Sequence, residues 1–142
     1  MRRALPIVVA LSLTLVACAE PSEPAAIDPT DFAWLLESGT LDGSAIPILD
    51  THPVTLVFEE DGAGGTSACN QYFGDYSISG SAISFDEMTQ TEMACVPDQV
   101  MDSEARFLEA LSRVEAFTVS GDSLTLSGDG AELVFAVDQE AE

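Results

Sequence analysis

The segment Ser67-Ala68-Cys69-Asn70-Gln71-Tyr72-Phe73-Gly74-Asp75-Tyr76-Ser77-Ile78-Ser79-Gly80-Ser81-Ala82-Ile83-Ser84-Phe85 alternates in character with a period of two. Successive side chains of a strand point to opposite faces, so Tyr72, Gly74, Tyr76 and Ile78 share one face while Phe73, Asp75 and Ser77 take the other. Gly80-Ser81 is turn chemistry between Tyr76–Ser79 and Ala82–Phe85, which pair as a hairpin. The tyrosine face reads as core, with Gly74 placed where another backbone or ring comes close. A tyrosine-lined ligand pocket is the sharper alternative. Core packing is preferred because a small barrel fills its interior with side chains.

The same period recurs outward along the chain. Strands are expected at Phe32–Glu37, Val54–Phe58, Gly65–Ala68, Glu115–Ser120, Ser123–Ser127 and Glu132–Val137, with Glu59 to Gly62, Gly121-Asp122 and Gly128-Asp129-Gly130 as turns. Together with the central hairpin they predict a mostly β (α+β) fold: an antiparallel curved sheet or small barrel of about eight short strands with one helix. The helix follows Pro97 and Asp98, where Val100, Met101, Ala105, Leu108 and Leu111 recur at three and four, with Phe107 and Val114 beside the stripe. Arg106 and Arg113 each lie four residues after an acid, Asp102 and Glu109, an order that stabilises a helix by about 0.2–0.5 kcal/mol per pair.

The chain begins Met1-Arg2-Arg3, continues through an apolar run to Ala17 and reaches Cys18 in the context Leu15-Val16-Ala17-Cys18. A basic start, a short apolar region and a small residue before a break make an export signal, too short to span a bilayer as a mature helix. Leu-x-Ala-Cys resembles a bacterial lipobox, which implies cleavage after residue 17 and lipid on the Cys18 sulfur. Cleavage at an ordinary signal peptide, with Cys18 incidental, is the alternative. With Ala19 and not Asp next to the cysteine, the resemblance points to the periplasmic face of the outer membrane if the host is Gram-negative. Residues 18–30 are rich in Pro and acid and read as an extended tether, leaving 31–138 as one domain.

The chain carries 25 acids against four Lys plus Arg, a formal charge of −21, and no lysine. Removal of the signal takes away Arg2 and Arg3, so Arg106 and Arg113 alone face the same 25 acids. Nucleic-acid affinity comes from Lys and Arg displacing counterions, and a field of this sign opposes it, so no nucleic-acid partner is expected. The acidity itself is accounted for by solubility in a saline setting.

Beyond alternation, the segment Cys69-Asn70, Tyr72, Gly74, Tyr76, followed by Thr91, Met93-Ala94-Cys95, resembles the META domain of HslJ-type lipoproteins. Trp34-Leu35, Phe107-Leu108 with Leu111, Gly121-Asp122-Ser123-Leu124-Thr125-Leu126 and Leu133-Val134-Phe135 extend the resemblance over roughly residues 31 to 137. It implies a small, mostly β domain of the cell envelope, in a family with some members linked to heat shock, novobiocin tolerance or motility. It also implies structural roles for Asn70, Tyr72, Gly74, Tyr76, Thr91 and Met93.

An exported compartment favours oxidation of Cys69 and Cys95, and a bridge closing about 27 residues would contribute about 3–4 kcal/mol in the chain-entropy account. Free thiols are the alternative. The one histidine, His52, has no metal-ligand spacing to either cysteine, and neither a metal nor a cofactor is expected. Without lysine there is no phosphate-cradling P-loop, Schiff base or Ser-Lys dyad. Two functions from different classes remain: a lipid-anchored binding or structural module with a possible envelope protein partner, which is favoured, and a small envelope hydrolase using a carboxylate pair. The first is not an enzyme.

Overall fold

Alternation at period two builds a closed barrel, because each strand has one apolar face and the ring leaves few exposed edges. The computed structural model describes residues 27–141. The signal, Cys18 and most of the tether lie outside the described residues. The strands are β1 (Ala33–Leu41), β2 (Ser44–Ala45), β3 (Thr55–Glu59), β4 (Gly62–Thr66), β5 (Gln71–Ser79), β6 (Ala82–Gln90), β7 (Ala116–Ser120), β8 (Ser123–Gly128) and β9 (Ala131–Val137), with helix α1 (Asp98–Ser112) between β6 and β7. The order is β2-β1-β3-β4-β5-β6-β7-β8-β9, all antiparallel, and β9 pairs back onto β1 from Trp34↔Val137 to Leu41↔Ala131. Eight strands thus close the barrel, as the pattern predicts, while β2 only folds back on the end of β1.

Inward positions carry the core: Trp34 and Leu36, Leu56 and Phe58, Leu124 and Leu126, Leu133 and Phe135 are all buried. Each such burial stabilises by about 1.5–3 kcal/mol relative to exposure. Asp28 caps a short turn, Pro29–Asp31, and the Trp34 indole N–H donates to the Pro29 carbonyl at 2.7 Å. Pro29 is buried, so Asp28 to Thr30, which composition assigns to the tether, pack on the barrel.

Strand β1 runs four residues past the expected Glu37 to Leu41, β2 is not among the expected strands, and β4 and β6 differ from expectation in ways that packing explains. Strand β4 begins at Gly62, three residues ahead of the expected Gly65, and stops at Thr66. Its glycines read as turn residues, yet two of them serve packing. A Cβ on Gly62 would come within 2.5 Å of the Phe73 ring, and one on Gly64 within 3.0 Å. The ring therefore lies along the glycine backbone. Strand β6 runs on past Phe85 to Gln90 through a bulge, since Phe73 pairs with Thr89 but Asp75 with Asp86, and the extra residue places Glu87 at φ 51°. Gly74 sits under that bulge, where a Cβ would lie 2.7 Å from the Asp86 carbonyl oxygen and the Met88 sulfur. The close approach anticipated at Gly74 is a real one.

Helix α1 lies across one end of the barrel. Phe107 packs edge-on to Tyr72 at 5.4 Å and to Phe135 at 6.5 Å between ring centroids. The buried stripe is Val100, Ser103, Glu104, Phe107, Ala110 and Leu111. It is rotated from the expected one: Ala105 is exposed, and Met101 and Leu108 are only partly covered. The rotation follows from two polar residues with partners waiting inside, which an apolar pattern cannot show. Arg113 pairs with Glu109 as expected and also reaches Asp42 at 3.0 Å. Arg106 does not pair with Asp102. Its guanidinium donates to the Ser44 carbonyl at 2.9 Å, because β2 lies beside that flank of the helix.

Candidate functional site

Asn70 organises the end of the barrel that α1 covers. Between β4 and β5 the chain turns through Ser67–Asn70, with the Ser67 N–H donating to the Asn70 carbonyl at 2.8 Å and Ala68 held at φ 80°. The turn aims its donors at the helix. Ser67 Oγ and the Asn70 N–H both donate to Glu104 Oε2 at 2.7 Å, and Asn70 Nδ2 donates to Glu104 Oε1 at 2.7 Å. Glu104 is 2% exposed and Asn70 1%. A buried carboxylate is costly unless its lone pairs are used, and here three donors from one turn use them.

The other side of Asn70 faces the segment between β6 and α1. Asn70 Oδ1 accepts from the Met93 N–H at 2.6 Å and from Thr91 Oγ1 at 2.9 Å, while Asn70 Nδ2 donates to the Met93 carbonyl at 3.1 Å. The amide side chain thus takes both backbone groups of Met93, as a neighbouring strand would. Thr91 Oγ1 in turn accepts from the Gln71 N–H at 3.1 Å. Next to Asn70 on one side and two residues past Met93 on the other, Cys69 and Cys95 form a disulfide with Cα atoms 5.8 Å apart. Residues 91–97 belong to no helix or strand, so these side chains supply what a ladder would have supplied.

The braced loop carries apolar side chains outward. Met93 is 55% exposed and Val96 82%, the highest values among the exposed large apolar residues described. The loop thus combines a hydrogen-bonded backbone at Met93 with open apolar side chains.

The remaining sequence candidates are placed as follows. Tyr72 is buried, and its hydroxyl donates to the Thr55 carbonyl at 2.7 Å. Burial pushes that hydroxyl well above the usual phenol range, so it acts as a neutral donor in the core. Tyr76 is half-buried against Phe58, with ring centroids 5.0 Å apart. Ile78, on the same face, has already come to the surface. The His52 ring nitrogen Nδ1 lies 3.0 Å from the neighbouring Thr51 hydroxyl, and its backbone N–H donates to the Leu49 carbonyl at 2.9 Å. No group of three or more His, Cys, Asp or Glu among the described residues is placed to hold a metal ion. Glu104, the one buried acid there, spends both oxygens on Ser67 and Asn70.

Ser67 and Glu104 are the members of this buried network that sequence reasoning misses. Their only signal is that polar groups fall on a helix stripe and beside a motif turn. No helix among the described residues is long and apolar enough to cross a membrane.

A small antiparallel barrel, plugged at one end by a helix that is tied to an Asn turn and a disulfide, defines the class. The chain belongs to the META domain family, whose sequence pattern matches residues 28–140. It is similar to the NMR structure of a protein from Burkholderia xenovorans at 25% identity, over 90% of this chain and 100% of that one, with a TM-score of 0.67. A second protein solved by NMR shares the fold at 20% identity, over 80% of this chain and 94% of that one, with a TM-score of 0.61. No curated protein matches the chain.

Proposed function

We propose that this protein is an HslJ-like lipoprotein, a non-catalytic module of the cell envelope that is anchored through lipid on Cys18 and binds a protein partner through the loop Thr91–Val96. The observation that supports it most is the contrast at Met93, whose backbone is held at both polar groups by a buried amide while its side chain stays open. A loop ordered before binding loses little conformational entropy on contact, so its exposed apolar groups convert efficiently into affinity. Lipidation of Cys18 would place this surface at the periplasmic face of the outer membrane in a Gram-negative host, with residues 18–26 as a short leash. A role under envelope stress fits such a tethered contact protein.

The test is a doubly substituted Met93→Asp, Val96→Asp protein. Both residues are exposed, so its melting temperature should stay within about 2 °C of native. In a deletion strain it should fail to complement and lose the crosslinks that the native protein forms, while His52→Ala complements fully. Full complementation by the double variant, or failure of a folded His52→Ala protein, would overturn the reading. Cys18→Ala should leave the membrane fraction and accumulate as precursor; a normally cut, membrane-bound variant would remove the anchor from the proposal.

A further inference from the structure

On the outer wall of the barrel, strands β3 to β6 together with Thr91, where the loop carrying Met93 and Val96 begins, enclose an open groove of about 510 Å³. Such a volume is in the range of small-ligand sites, about 300–1,000 Å³. Gly64 and Gly65 form its floor, and Phe73, Gln71, Gln90 and Glu59 stand around it. Phe73 is 40% exposed although its ring rests on the glycine backbone, so one face is fixed and the other is open. Gln71 and Gln90 are exposed, each with an amide that both donates and accepts.

Charge narrows the ligand. Glu59 is the one carboxylate lining this groove in a chain with 25 acids, and no cation lines it. A second open hollow, at the other end of β5, is lined by Asp28, Glu60, Asp61 and Asp75. The groove is therefore a nearly uncharged window in an acidic surface. An anionic ligand would meet Glu59 and the surrounding field without a counter-charge, and a cation would be drawn to the acidic hollow instead.

We infer that this groove binds a neutral oligosaccharide, stacked on the open face of Phe73 and hydrogen-bonded by Gln71, Gln90 and Glu59. A sugar ring has an apolar face of polarised C–H groups, which suits the negative face of an aromatic ring, and a rim of hydroxyls that donate and accept in the plane. Amides answer the rim in both directions, and a carboxylate accepts from hydroxyls. The glycine backbone seats the Phe73 ring flat on the sheet, and the fixed ring costs no ordering on binding.

The experiment is an amide NMR titration of the soluble domain (residues 19–142) with three uncharged trisaccharides, the β-1,4-linked N-acetylglucosamine trimer, cellotriose and maltotriose, and with the galacturonate trimer as anionic comparator. At least one neutral trimer should shift the amides of Gly64, Gly65, Gln71 and Phe73 with roughly millimolar affinity or better, unchanged by salt. Phe73→Leu keeps an apolar side chain over the glycines and should weaken binding about tenfold at unchanged melting temperature, while Phe73→Tyr retains it. The Met93→Asp, Val96→Asp protein should bind the sugar as the native protein does, because neither side chain lines the groove. Absence of shifts with all three neutral trimers up to about 20 mM, equal binding by folded Phe73→Leu, or equal binding of the galacturonate trimer would overturn it.

Discussion

The two ends of the β5–β6 hairpin are built from different chemistry. At the turn end, Gly80 at φ 62° joins the strands, and the pair meets β7 through one register contact, Ala82↔Ala116, with single backbone bonds beside it. Side chains there are exposed, and Ser77 and Ser84 share a surface hydrogen bond at 2.9 Å. At the open end, Gln71 and Gln90 lead into segments without a ladder, and there the molecule places a buried Asn, a buried Glu and a disulfide. A tight turn satisfies its own backbone, whereas a loop leaving a sheet does not. Polar burial in this barrel therefore follows the topology: the burial of Glu104 is offset by three donors of the Asn70 turn, and Asn70 and the disulfide in turn hold the loop.

The strongest way to break this contrast is Asn70→Ala. It leaves the Met93 N–H and carbonyl, the Thr91 hydroxyl and one Glu104 oxygen without their partner at once, and removal of a buried hydrogen-bond hub costs about 4 kcal/mol. Thermal unfolding should fall by about 15 °C in a domain of this size. The matched change at the turn end, Ser77→Ala, should move it by less than about 1 °C. Comparable losses at both ends would show that the buried network has no special part in stability.

Second in size is the bridge. Replacing Cys69 and Cys95 together by Ser releases a loop whose ends are 26 residues apart in sequence, and should cost about 3–4 kcal/mol, or about 12 °C. Non-reducing peptide mapping of the native protein should find the two fragments joined. Full thiol labelling of both residues in the folded protein would refute the pairing.

How much of this was legible depends on whether a residue's role is local. Alternation at Tyr72, Gly74 and Tyr76, turn pairs such as Gly121-Asp122, and the Val100 to Leu111 recurrence are local patterns, and they predict the barrel and its helix. The start of β4 was hidden because Gly62 and Gly64 follow a Glu-Glu-Asp run and look like a longer turn; only the Phe73 ring lying on them explains the strand. Glu104 was illegible for a different reason. Among 25 acids, most of them on solvated faces, nothing local distinguishes the one that meets a turn 34 residues earlier. Arg106 shows the reverse error, since its i,i+4 acid was present but the Ser44 carbonyl, far away in sequence, competed successfully.

Glu104→Gln sharpens the comparison because it keeps size and shape. In one orientation the new NH2 faces Asn70 Nδ2, and in the other it faces the Asn70 N–H and the Ser67 hydroxyl, so one donor always meets a donor. The expected loss is about 2 kcal/mol, or about 8 °C, half that of Asn70→Ala, with Met93 still held by the intact Asn70 side chain. A neutral outcome would mean that the turn re-forms around the amide and that charge and acceptor number at this position do not matter.

A small effect is expected at the Pro29–Asp31 turn that leads into β1, where Asp28 accepts from the Thr30 N–H at 3.0 Å and from its hydroxyl at 2.8 Å. The backbone bond first, and then the hydroxyl, hold this carboxyl below the usual aspartate value. A carboxyl depressed in the folded state contributes stability that is fully present above the unfolded value, about pH 4, and is lost as pH falls through the folded one. The group is well solvated, so water screens the effect, and Asp28→Ala should cost only about 0.5 kcal/mol at neutral pH, or about 2 °C. Asp28→Asn keeps an acceptor at the cap without the titrating charge. Native protein and the Asn variant should therefore differ little at pH 7, and the native protein alone should lose this small increment below about pH 4. A large acid-sensitive loss traced to Asp28 would contradict the contrast between solvated polar contacts and the buried network at Asn70, because a few tenths of a kcal/mol at an exposed cap would then have to secure the packing of Pro29 and Trp34 beneath it.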